Sequence, residues 1–321
     1  MGPWYVWRGG VFPIDWEVEF GSAGPLHFEI GFGDGRYTVR RAAASPSERF
    51  VGVERSGASL YRAIKRVRRA GLDNIRLLAG SAEFAVRHLF ARGVLETITV
   101  NFPDPWPKER HRRNRLLKRS FFDLAATRLR QGGRILLATD HKDYLEGAVA
   151  EARSSDLFRV IELDPPPAVF ETKYALKWRS LGKPLHYRAF EYHGGAEELS
   201  YPILERPQIM PHALLTGVLA DRIPFKKQVL PFADGHVIVH EAAQTLNDGG
   251  GRWLFRVTID EPDLKQQLLV AVQQRSAGEL IVRLESFGDP IVTPTARGAI
   301  HAVTEWLLNQ LPDLKVRARN Y

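Results

Sequence analysis

The sequence predicts an α/β fold with a doubly wound, mostly parallel sheet of seven strands, followed by a smaller C-terminal α+β domain. Short apolar runs alternate with helical stretches between residues 26 and 193, which is the pattern of a parallel sheet covered by helices on both faces. A glycine-rich turn follows the first apolar run, where such sheets bind ligands. Beyond residue 211 the alternation gives way to hairpin-like strands and isolated helices.

Seven apolar segments are predicted to form the strands of the first domain, with helices between them. The predicted strands are Leu26–Ile30, Phe50–Glu54, Ile75–Ala79, Thr97–Phe102, Arg134–Thr139, Phe158–Leu163 and Leu185–Tyr192. The clearest helix spans Ser56 to Ala70, because apolar side chains recur there at helical spacing and cations occupy the opposite face. Gly71 is predicted to end this helix.

Residues 194–211 contain two adjacent glycines and three prolines, and we predict a linker there. We assign residues 1–195 to the first domain, with 1–25 as an N-terminal extension, and residues 196–321 to the second. The second domain is predicted to contain an antiparallel pair of strands and three further elements. These are the strands His236–Leu246 and Arg252–Ile259, joined through residues 247–251, a helix over Leu264–Gln274, a strand over Glu279–Ser286 and a helix over Thr295–Asn309.

Composition indicates a soluble, cytoplasmic protein with a polyanionic partner. The 321 residues contain no cysteine and no apolar run of the roughly 18 residues that span a bilayer, and the N-terminus does not resemble a signal peptide. The absence of cysteine favours a reducing compartment and excludes thiolate nucleophiles and cysteine-ligated metals. The net charge of +8 and the isoelectric point near 9.7 favour a polyanion, although excess arginine is also typical of heat-adapted proteins.

The first candidate binding segment is EIGFGDG, residues 29–35. Gly31 and Gly33 follow a strand and precede a helix, a context in which glycine lets the backbone approach a nucleotide-like ligand. The carboxylate of Glu29 would repel a pyrophosphate, whereas S-adenosylmethionine carries a charged amino group. The turn therefore favours S-adenosylmethionine over a dinucleotide, and a tight turn that binds nothing is the alternative.

The ends of the next two strands supply further candidates. Glu54 ends the second strand, where an acid accepts hydrogen bonds from ribose hydroxyls in nucleotide-binding folds. This position suits any adenosine-containing ligand, NAD included. Ser81 follows the third strand, where an adenine is expected, and it is equally suited to cap the next helix.

The fourth strand runs into NFPDPWPKERHRRNR, residues 101–115. The first and fourth strands flank the binding crevice of such a sheet, which brings Asp104 near Glu29. The three prolines of the segment restrict the backbone, so the Asp104 carboxylate is held in a stiff turn. A group positioned in this way suits catalysis by orientation and electrostatics.

A dense basic run follows this turn. From Lys108 to Arg119, seven Lys and Arg stand against one acid, so twelve residues carry +6 of the net charge of +8. These cations would neutralise phosphates, and a solvated surface is the alternative. Trp106 suits either stacking on an exposed base or core packing. The cations of the 56–70 helix are suited to extend this phosphate-binding surface, but a solvated face is the more typical role for such a stripe.

These residues closely resemble the motif of the bacterial tRNA (guanine-N7-)-methyltransferases. EIGFGDG, GVER, ATD at 138–140 and TKY at 172–174 occur in the order of that family, and the resemblance covers residues 14–192. It implies a Rossmann-like methyltransferase sheet with S-adenosylmethionine as the donor. It also implies tRNA as the partner, with guanine at position 46 of the variable loop as the substrate.

Carried over by position, the resemblance implies donor contacts at Glu29, Glu54 and Asp104, with Asp104 also the catalytic residue. With the turn glycines and Ser81, the predicted donor site is Glu29, Gly31, Gly33, Glu54, Ser81 and Asp104. The implied substrate contacts are Lys108, Asp140, Thr172, Lys173 and Tyr174, and the implied RNA contacts are Arg110, His111, Arg112, Arg113, Asn114 and Arg115. Two positions depart from the family pattern: Ser81 replaces an acid or amide, and Ala175 replaces a glutamate.

The implied chemistry is consistent with these residues. N7 of guanine carries a lone pair and no proton, so it can attack a sulfonium methyl without a general base. The carboxylates of Asp104 and Asp140 are suited to stabilise the positive charge that then moves onto the base, or to hold its N1–H and N2–H₂ edge. Asp140 as a helix cap is the alternative.

Two other functions remain open at this level: a methyltransferase that acts on another RNA or DNA position, and a non-catalytic tRNA-binding protein. We predict no metal site, because His236 and His240 share a strand face without a third ligand. We also predict no membrane association, and both a monomer and a homodimer stay open.

Overall fold

The computed structural model describes residues 2, 4, 5, 10–205, 207, 209–220, 222–245, 252–276 and 278–321. The chain divides into two units, essentially Phe12–Ile203 and Leu204–Tyr321. Residues 194–203 therefore belong to the first unit. The guanidinium of Arg92 holds the carbonyl oxygen of Ala196 at 2.7 Å, and that of Arg128 holds the carbonyl oxygen of Tyr201 at 2.9 Å. The first unit therefore ends at Ile203, inside the predicted linker of residues 194–211 and not at its start.

The described part of the first unit contains a seven-stranded sheet in the order β3-β2-β1-β4-β5-β7-β6. Its strands are β1 (Leu26–Ile30), β2 (Arg49–Glu54), β3 (Ile75–Ala79), β4 (Leu95–Asn101), β5 (Leu129–Thr139), β6 (Phe158–Ile161) and β7 (His186–Tyr192). Neighbouring strands are parallel except where β7 pairs with β5 and β6. The predicted doubly wound, mostly parallel sheet is confirmed, and all seven predicted strands are present.

Helices cover this sheet in two groups. The helices are α1 (Trp16–Phe20), α2 (Arg36–Ala44), α3 (Gly57–Ala70), α4 (Ala82–His88), α5 (Arg119–Ala126), α6 (Lys142–Ser155), α7 (Pro167–Phe170) and α8 (Lys173–Ser180), with a 3₁₀ helix at Glu109–Asn114. α2 packs against α3 and α7, whereas α5 packs against α4 and α6. All five residues of β1 are buried, as expected of a parallel strand covered on both faces.

The predicted helix over residues 56–70 is confirmed by its two ends. The hydroxyl of Ser56 accepts a hydrogen bond from the backbone N–H of Ser59 at 3.3 Å, which caps α3 at its start. Gly71 adopts the left-handed conformation, φ 65°, immediately after the last helical residue. The first residues of α3 consequently lie next to Glu54, the last residue of β2.

The second unit contains, in its described residues, a seven-stranded antiparallel sheet and one helix. Its elements are β8 (His212–Thr216), β9 (Gln228–Phe232), β10 (Gly235–Gln244), β11 (Trp253–Asp260), β12 (Lys265–Ser276), β13 (Glu279–Leu284), α9 (Pro294–Gln310) and β14 (Lys315–Asn320). The strand order is β14-β8-β13-β12-β11-β10-β9, and α9 packs on the sheet. The α+β class of this part of the chain is confirmed.

One predicted element of the second unit is wrong. Residues 264–274 form most of strand β12, where the sequence predicts a helix. Gln266, Leu268, Val270 and Val272 are buried at every second position, with Ala271 buried between the last two. β12 pairs with β11 on one side and β13 on the other. Pairing on both edges outweighs the helix-favouring Leu, Gln and Ala content of the segment.

The other elements predicted for this unit agree with the structure. β10 and β11 pair antiparallel, and β13 and α9 lie where a strand and a helix are predicted. Leu246 and the predicted connection 247–251 lie outside the described residues. No helix in the described ranges is long and apolar enough to cross a bilayer.

Candidate active site

The candidate site residues of the first unit meet at one edge of the sheet. β1, β2, β4 and β5 are adjacent and parallel, and Ile30 pairs with both Val53 and Val100, so their C-terminal ends lie together. Glu29 lies near the end of β1, Glu54 ends β2 and Asp104 follows β4. Ligands bind at this edge of doubly wound sheets.

The turn between β1 and α2 is built around three glycines. Gly31, Gly33 and Gly35 have φ angles of 69°, 58° and 78°, a region that residues with side chains avoid. A Cβ atom at Gly31 or Gly33 would meet no atom within 4 Å beyond its chain neighbours, so there is open space beside the turn. A side chain at Gly35 would lie 2.8 Å from the Cβ of Ala63, so this glycine permits close packing of α2 on α3.

Glu54 braces the glycine turn from the neighbouring strand. One of its carboxylate oxygens accepts a hydrogen bond from the backbone N–H of Gly33 at 3.0 Å, and the other accepts from that of Ser56 at 2.9 Å. Each carboxylate oxygen has a second lone pair, so both contacts leave acceptor capacity for ligand hydroxyls. Glu54 therefore combines the predicted ligand contact with a structural role that the sequence did not indicate.

Glu29 is a buried carboxyl group that links β1 to β4. It accepts hydrogen bonds from the hydroxyl of Thr38 and, at 3.2 Å, from the side-chain amide of Asn101. Burial raises the pKa of Glu29 to about 7, and the two hydrogen bonds oppose that shift. Asn101 is the last residue of β4, so Glu29 connects the glycine-turn strand with the strand that leads to Asp104.

The raised pKa of Glu29 predicts a pH-dependent stability of the ligand-free protein. The buried carboxyl is protonated below about pH 4.5 in both states, and between this pH and about 7 only the folded state retains the proton. The free energy of unfolding should therefore fall by about 3 kcal/mol from this group as the pH rises from 4.5 to 8. Thermal unfolding of the protein and of Glu29→Gln across this range checks it. An equal pH slope in both proteins would refute the assignment.

The turn that carries Asp104 is strained and restrained. Phe102 and Trp106 have φ angles of 52° and 42°, which are uncommon for bulky residues and persist only where surrounding contacts impose them. The backbone N–H of Phe102 donates to the carbonyl oxygen of Ala138 at 2.7 Å. The Asp104 side chain is exposed to solvent, so its carboxylate is available to a ligand.

The predicted substrate triplet, residues 172–174, lies beside this turn. Thr172 is buried and caps α8, because its hydroxyl accepts from the N–H of Ala175 at 3.1 Å. Lys173 and Tyr174 are exposed, and the ring of Tyr174 lies 6.4 Å from that of Phe102. The two exposed side chains are therefore free to contact a substrate, whereas the hydroxyl of Thr172 is committed to the helix end.

Asp140 follows β5 and does not cap the next helix. His141 caps α6, since its Nδ1 atom accepts from the N–H of Tyr144 at 3.3 Å, so the capping alternative for Asp140 is wrong. The carboxylate of Asp140 instead accepts from the ammonium of Lys183 at 3.2 Å. Ser81 does cap its helix, and its hydroxyl accepts from the N–H of Phe84 at 3.4 Å; its contact with an adenine stays a prediction.

The first half of the basic run forms the 3₁₀ helix Glu109–Asn114, and the members of the run differ in exposure. The exposed residues are Lys108, Glu109, Arg110, Arg112, Arg113, Asn114 and, at the end of the run, Arg119. His111 is half-buried, and its ring packs edge-on against that of Trp106 at 5.8 Å. Arg115 is only 7 % exposed, so the geometry disfavours the predicted RNA contact at this position.

The net charge of the chain is carried by residues 1–203, nearly all of which form the first unit. Residues 1–203 contain 32 Lys and Arg against 24 Asp and Glu, which accounts for +8, whereas residues 204–321 contain 13 of each. The basic 3₁₀ helix lies within the first unit. Electrostatic attraction of a polyanion is therefore directed to the unit that carries the candidate site.

Three structurally important residues were not predicted from the sequence: Thr38, Asn101 and Asp143. The first two hold Glu29, and Asp143 pairs with Arg115 at 2.6 Å. Of these three, only Asn101 could have been proposed from the sequence, because it ends a strand at the edge where the candidate site residues lie. Asp143 stands 28 residues after its partner, and no spacing rule joins them.

The amino-acid sequence is similar to those of known methyltransferases. The family model described as "Putative methyltransferase" matches residues 23–188. A Thermus thermophilus protein named "tRNA (guanine-N(7)-)-methyltransferase" is 40% identical over 297 residues, which is 92% of this chain and 93% of that protein. A Deinococcus radiodurans protein of the same name is 42% identical over 91% of this chain and 92% of its own length.

A third protein of this name, from Thermotoga maritima, is 29% identical over 93% of this chain and 94% of its own length. Alignments of this length extend beyond the family-model match into residues 204–321. The second unit is thus a shared part of these three relatives.

Proposed function

This chain belongs to the tRNA (guanine-N7-)-methyltransferase family, and from that premise we propose how its residues carry out the reaction. The enzyme transfers a methyl group from S-adenosylmethionine to N7 of guanine in tRNA. We place the target guanine at position 46 in the variable loop, which the likeness of residues 101–115 to the family motif supports. We place the protein in the cytoplasm, where it would meet tRNA.

The residues at the edge of the sheet fit S-adenosylmethionine. Gly31 and Gly33 leave open space beside the turn, and Glu54 retains acceptor capacity for the two ribose hydroxyls. The positively charged part of the donor would lower the raised pKa of Glu29 and favour its ionised form, which then supplies negative charge beside the donor. When bound, S-adenosylmethionine supplies an electrophilic methyl group on a sulfonium.

Asp104 is proposed as the catalytic residue. Guanine N7 forms a bond to the methyl carbon as the carbon–sulfur bond breaks, and the sulfur keeps the electron pair and becomes a neutral thioether. The positive charge moves onto the purine, and no proton has to be removed from N7. The Asp104 carboxylate stabilises this charge or accepts from the guanine edge, and because its turn is already fixed, no reorganisation is needed in the transition state.

The remaining candidate residues hold the RNA. The exposed Tyr174 ring lies beside Phe102, where it can pack against the extruded base. Asp140 and Lys173 flank the same edge, and Lys108 follows the turn. The exposed cations of the 3₁₀ helix neutralise phosphates, which orients the tRNA and leaves the choice of base to the site.

The observation that carries this proposal is the exposed Asp104 carboxylate in a strained turn beside the glycine-turn strand. Purified protein is incubated with unmodified tRNA and methyl-labelled donor, and the RNA is digested and analysed by mass spectrometry. The label is expected as 7-methylguanosine at position 46, and a transcript with adenine at that position should remain unlabelled.

Two results would contradict the proposal. Label in another nucleoside or at another position would identify a methyltransferase of different specificity. Calorimetry that finds tRNA binding without S-adenosylmethionine binding would identify a non-catalytic tRNA-binding protein.

A further inference from the structure

Arg115 differs from the other cations of the basic run in its surroundings. The two cations that precede it, Arg112 and Arg113, are exposed, whereas Arg115 is 7 % exposed. A phosphate contact requires an accessible guanidinium. The burial of Arg115 therefore calls for a different role.

The guanidinium of Arg115 is held by protein groups on several sides. Its Nε donates to the carbonyl oxygen of Pro105 at 2.9 Å, and its Nη2 donates to the Asp143 carboxylate at 2.6 Å. Its Cζ atom lies 5.3 Å from the centre of the Tyr144 ring. A Cβ atom at Gly147 would lie 3.2 Å from its Nη1 atom, so α6 approaches closely where it has no side chain.

The Pro105 carbonyl belongs to the residue directly after Asp104. The turn has two restraints, one on each side of Asp104: the Phe102 N–H bonded to Ala138, and the Pro105 carbonyl bonded to Arg115. Phe102 itself, and Trp106, the residue after Pro105, adopt positive φ angles. Strained backbone of this kind relaxes when the contacts that impose it are removed.

We propose that Arg115 is a positioning residue, which fixes the Asp104 turn to α6 through Pro105 and Asp143, and that it does not contact tRNA phosphate. This inference rests on the proposed catalytic role of Asp104. Arginine is required because its planar fork reaches the carbonyl and the carboxylate at once, whereas lysine keeps the charge but cannot span both acceptors.

The test compares Arg115→Lys with Arg113→Gln, an exposed neighbour on the basic run. Steady-state kinetics give kcat and KM for tRNA, and binding between 50 and 200 mM salt gives the slope of log K against log salt. For Arg115→Lys we expect kcat to fall about 100-fold, as small misplacements of reacting groups can cause, with an unchanged KM and salt slope. For Arg113→Gln we expect a raised KM and a salt slope shallower by about 0.7 to 0.9, the loss of one phosphate contact.

A second variant keeps the proposal falsifiable if Arg115→Lys does not fold. Asp143→Asn leaves Arg115 in place and weakens its anchor, and we expect kcat to fall about 10-fold with an unchanged salt slope. Where both single variants fold, the double variant Arg115→Lys, Asp143→Asn should be no slower than Arg115→Lys alone, because both changes disrupt the same linkage. Thermal unfolding and donor binding establish which variants are folded.

Two outcomes would overturn the proposal. The first is an Arg115→Lys enzyme with wild-type kcat, which is what a phosphate contact served by charge alone predicts. The second is an Asp143→Asn enzyme with wild-type kcat. Asp104→Asn is assayed alongside: if that variant stays active, the catalytic role of Asp104 fails, whereas an inactive Asp104→Asn with an active Arg115→Lys rejects only the positioning role.

Discussion

Replacement of Asp104 by Asn is expected to reduce the rate of methyl transfer by about 100- to 1000-fold, the range observed when one preorganised charge-stabilising group is removed. The substitution preserves the shape of the side chain and removes its negative charge. Single-turnover kinetics with saturating donor and tRNA measure the methyl-transfer step. Binding of tRNA should change little, because affinity comes mainly from the cations of the 3₁₀ helix.

Asp156→Asn provides the matched control for this experiment. Asp156 is also exposed, and it lies between α6 and β6, at the start of a strand and hence at the opposite edge of the sheet. The same chemical change there should leave the rate unaltered. Equal rates for Asp104→Asn and the unmodified enzyme would remove Asp104 from the mechanism.

The second large effect is expected from the exposed cations of the 3₁₀ helix. The triple variant Arg110→Gln, Arg112→Gln, Arg113→Gln should weaken tRNA binding and lower the slope of log K against log salt by about 2, at roughly 0.7 to 0.9 for each lost phosphate contact. Arg112 also pairs with Glu109 and Asp143, so its share should be the smallest. Filter binding at several salt concentrations measures the slope, and kcat at saturating tRNA should be retained.

A comparable set of exposed cations exists in the second unit. Arg222, Lys226 and Lys227 are exposed in the segment before β9, in a unit whose acids and bases balance. Their replacement by Gln should leave the salt slope unchanged. A slope that falls equally in both triple variants would show that the RNA footprint is not concentrated at the 3₁₀ helix.

The sequence was sufficient to predict the sheet and the strand ends that carry the candidate site. Glu29, Glu54 and Asp104 each stand at or just beyond an apolar run, and parallel strands end at a common edge, so the sequence alone predicts that these three acids lie close together. The family resemblance added the donor and the substrate. Local patterns were therefore sufficient to predict the edge of the sheet at which the candidate site lies.

Contacts between residues that are distant in the sequence could not be predicted by the same reasoning. Arg113 and Arg115 look equivalent in the sequence, and only the fold brings Asp143 and the Pro105 carbonyl to the second of them. The segment 264–274 was misassigned for a related reason: its Leu, Gln and Ala content favours a helix, but two neighbouring strands select the extended form. In each case the deciding partners lie far along the chain or depend on the assembled sheet.

The role of Asp104 can be tested without kinetics by a crystal structure with S-adenosylhomocysteine, the product of the donor, and a tRNA fragment that carries the target guanine. We expect the guanine beside the glycine turn, with the Asp104 carboxylate either in contact with the purine ring or with one oxygen within about 2.6 to 3.2 Å of its N1–H or N2–H₂ edge. A guanine bound with its N7 toward the donor sulfur and the Asp104 carboxylate directed into solvent would contradict this role.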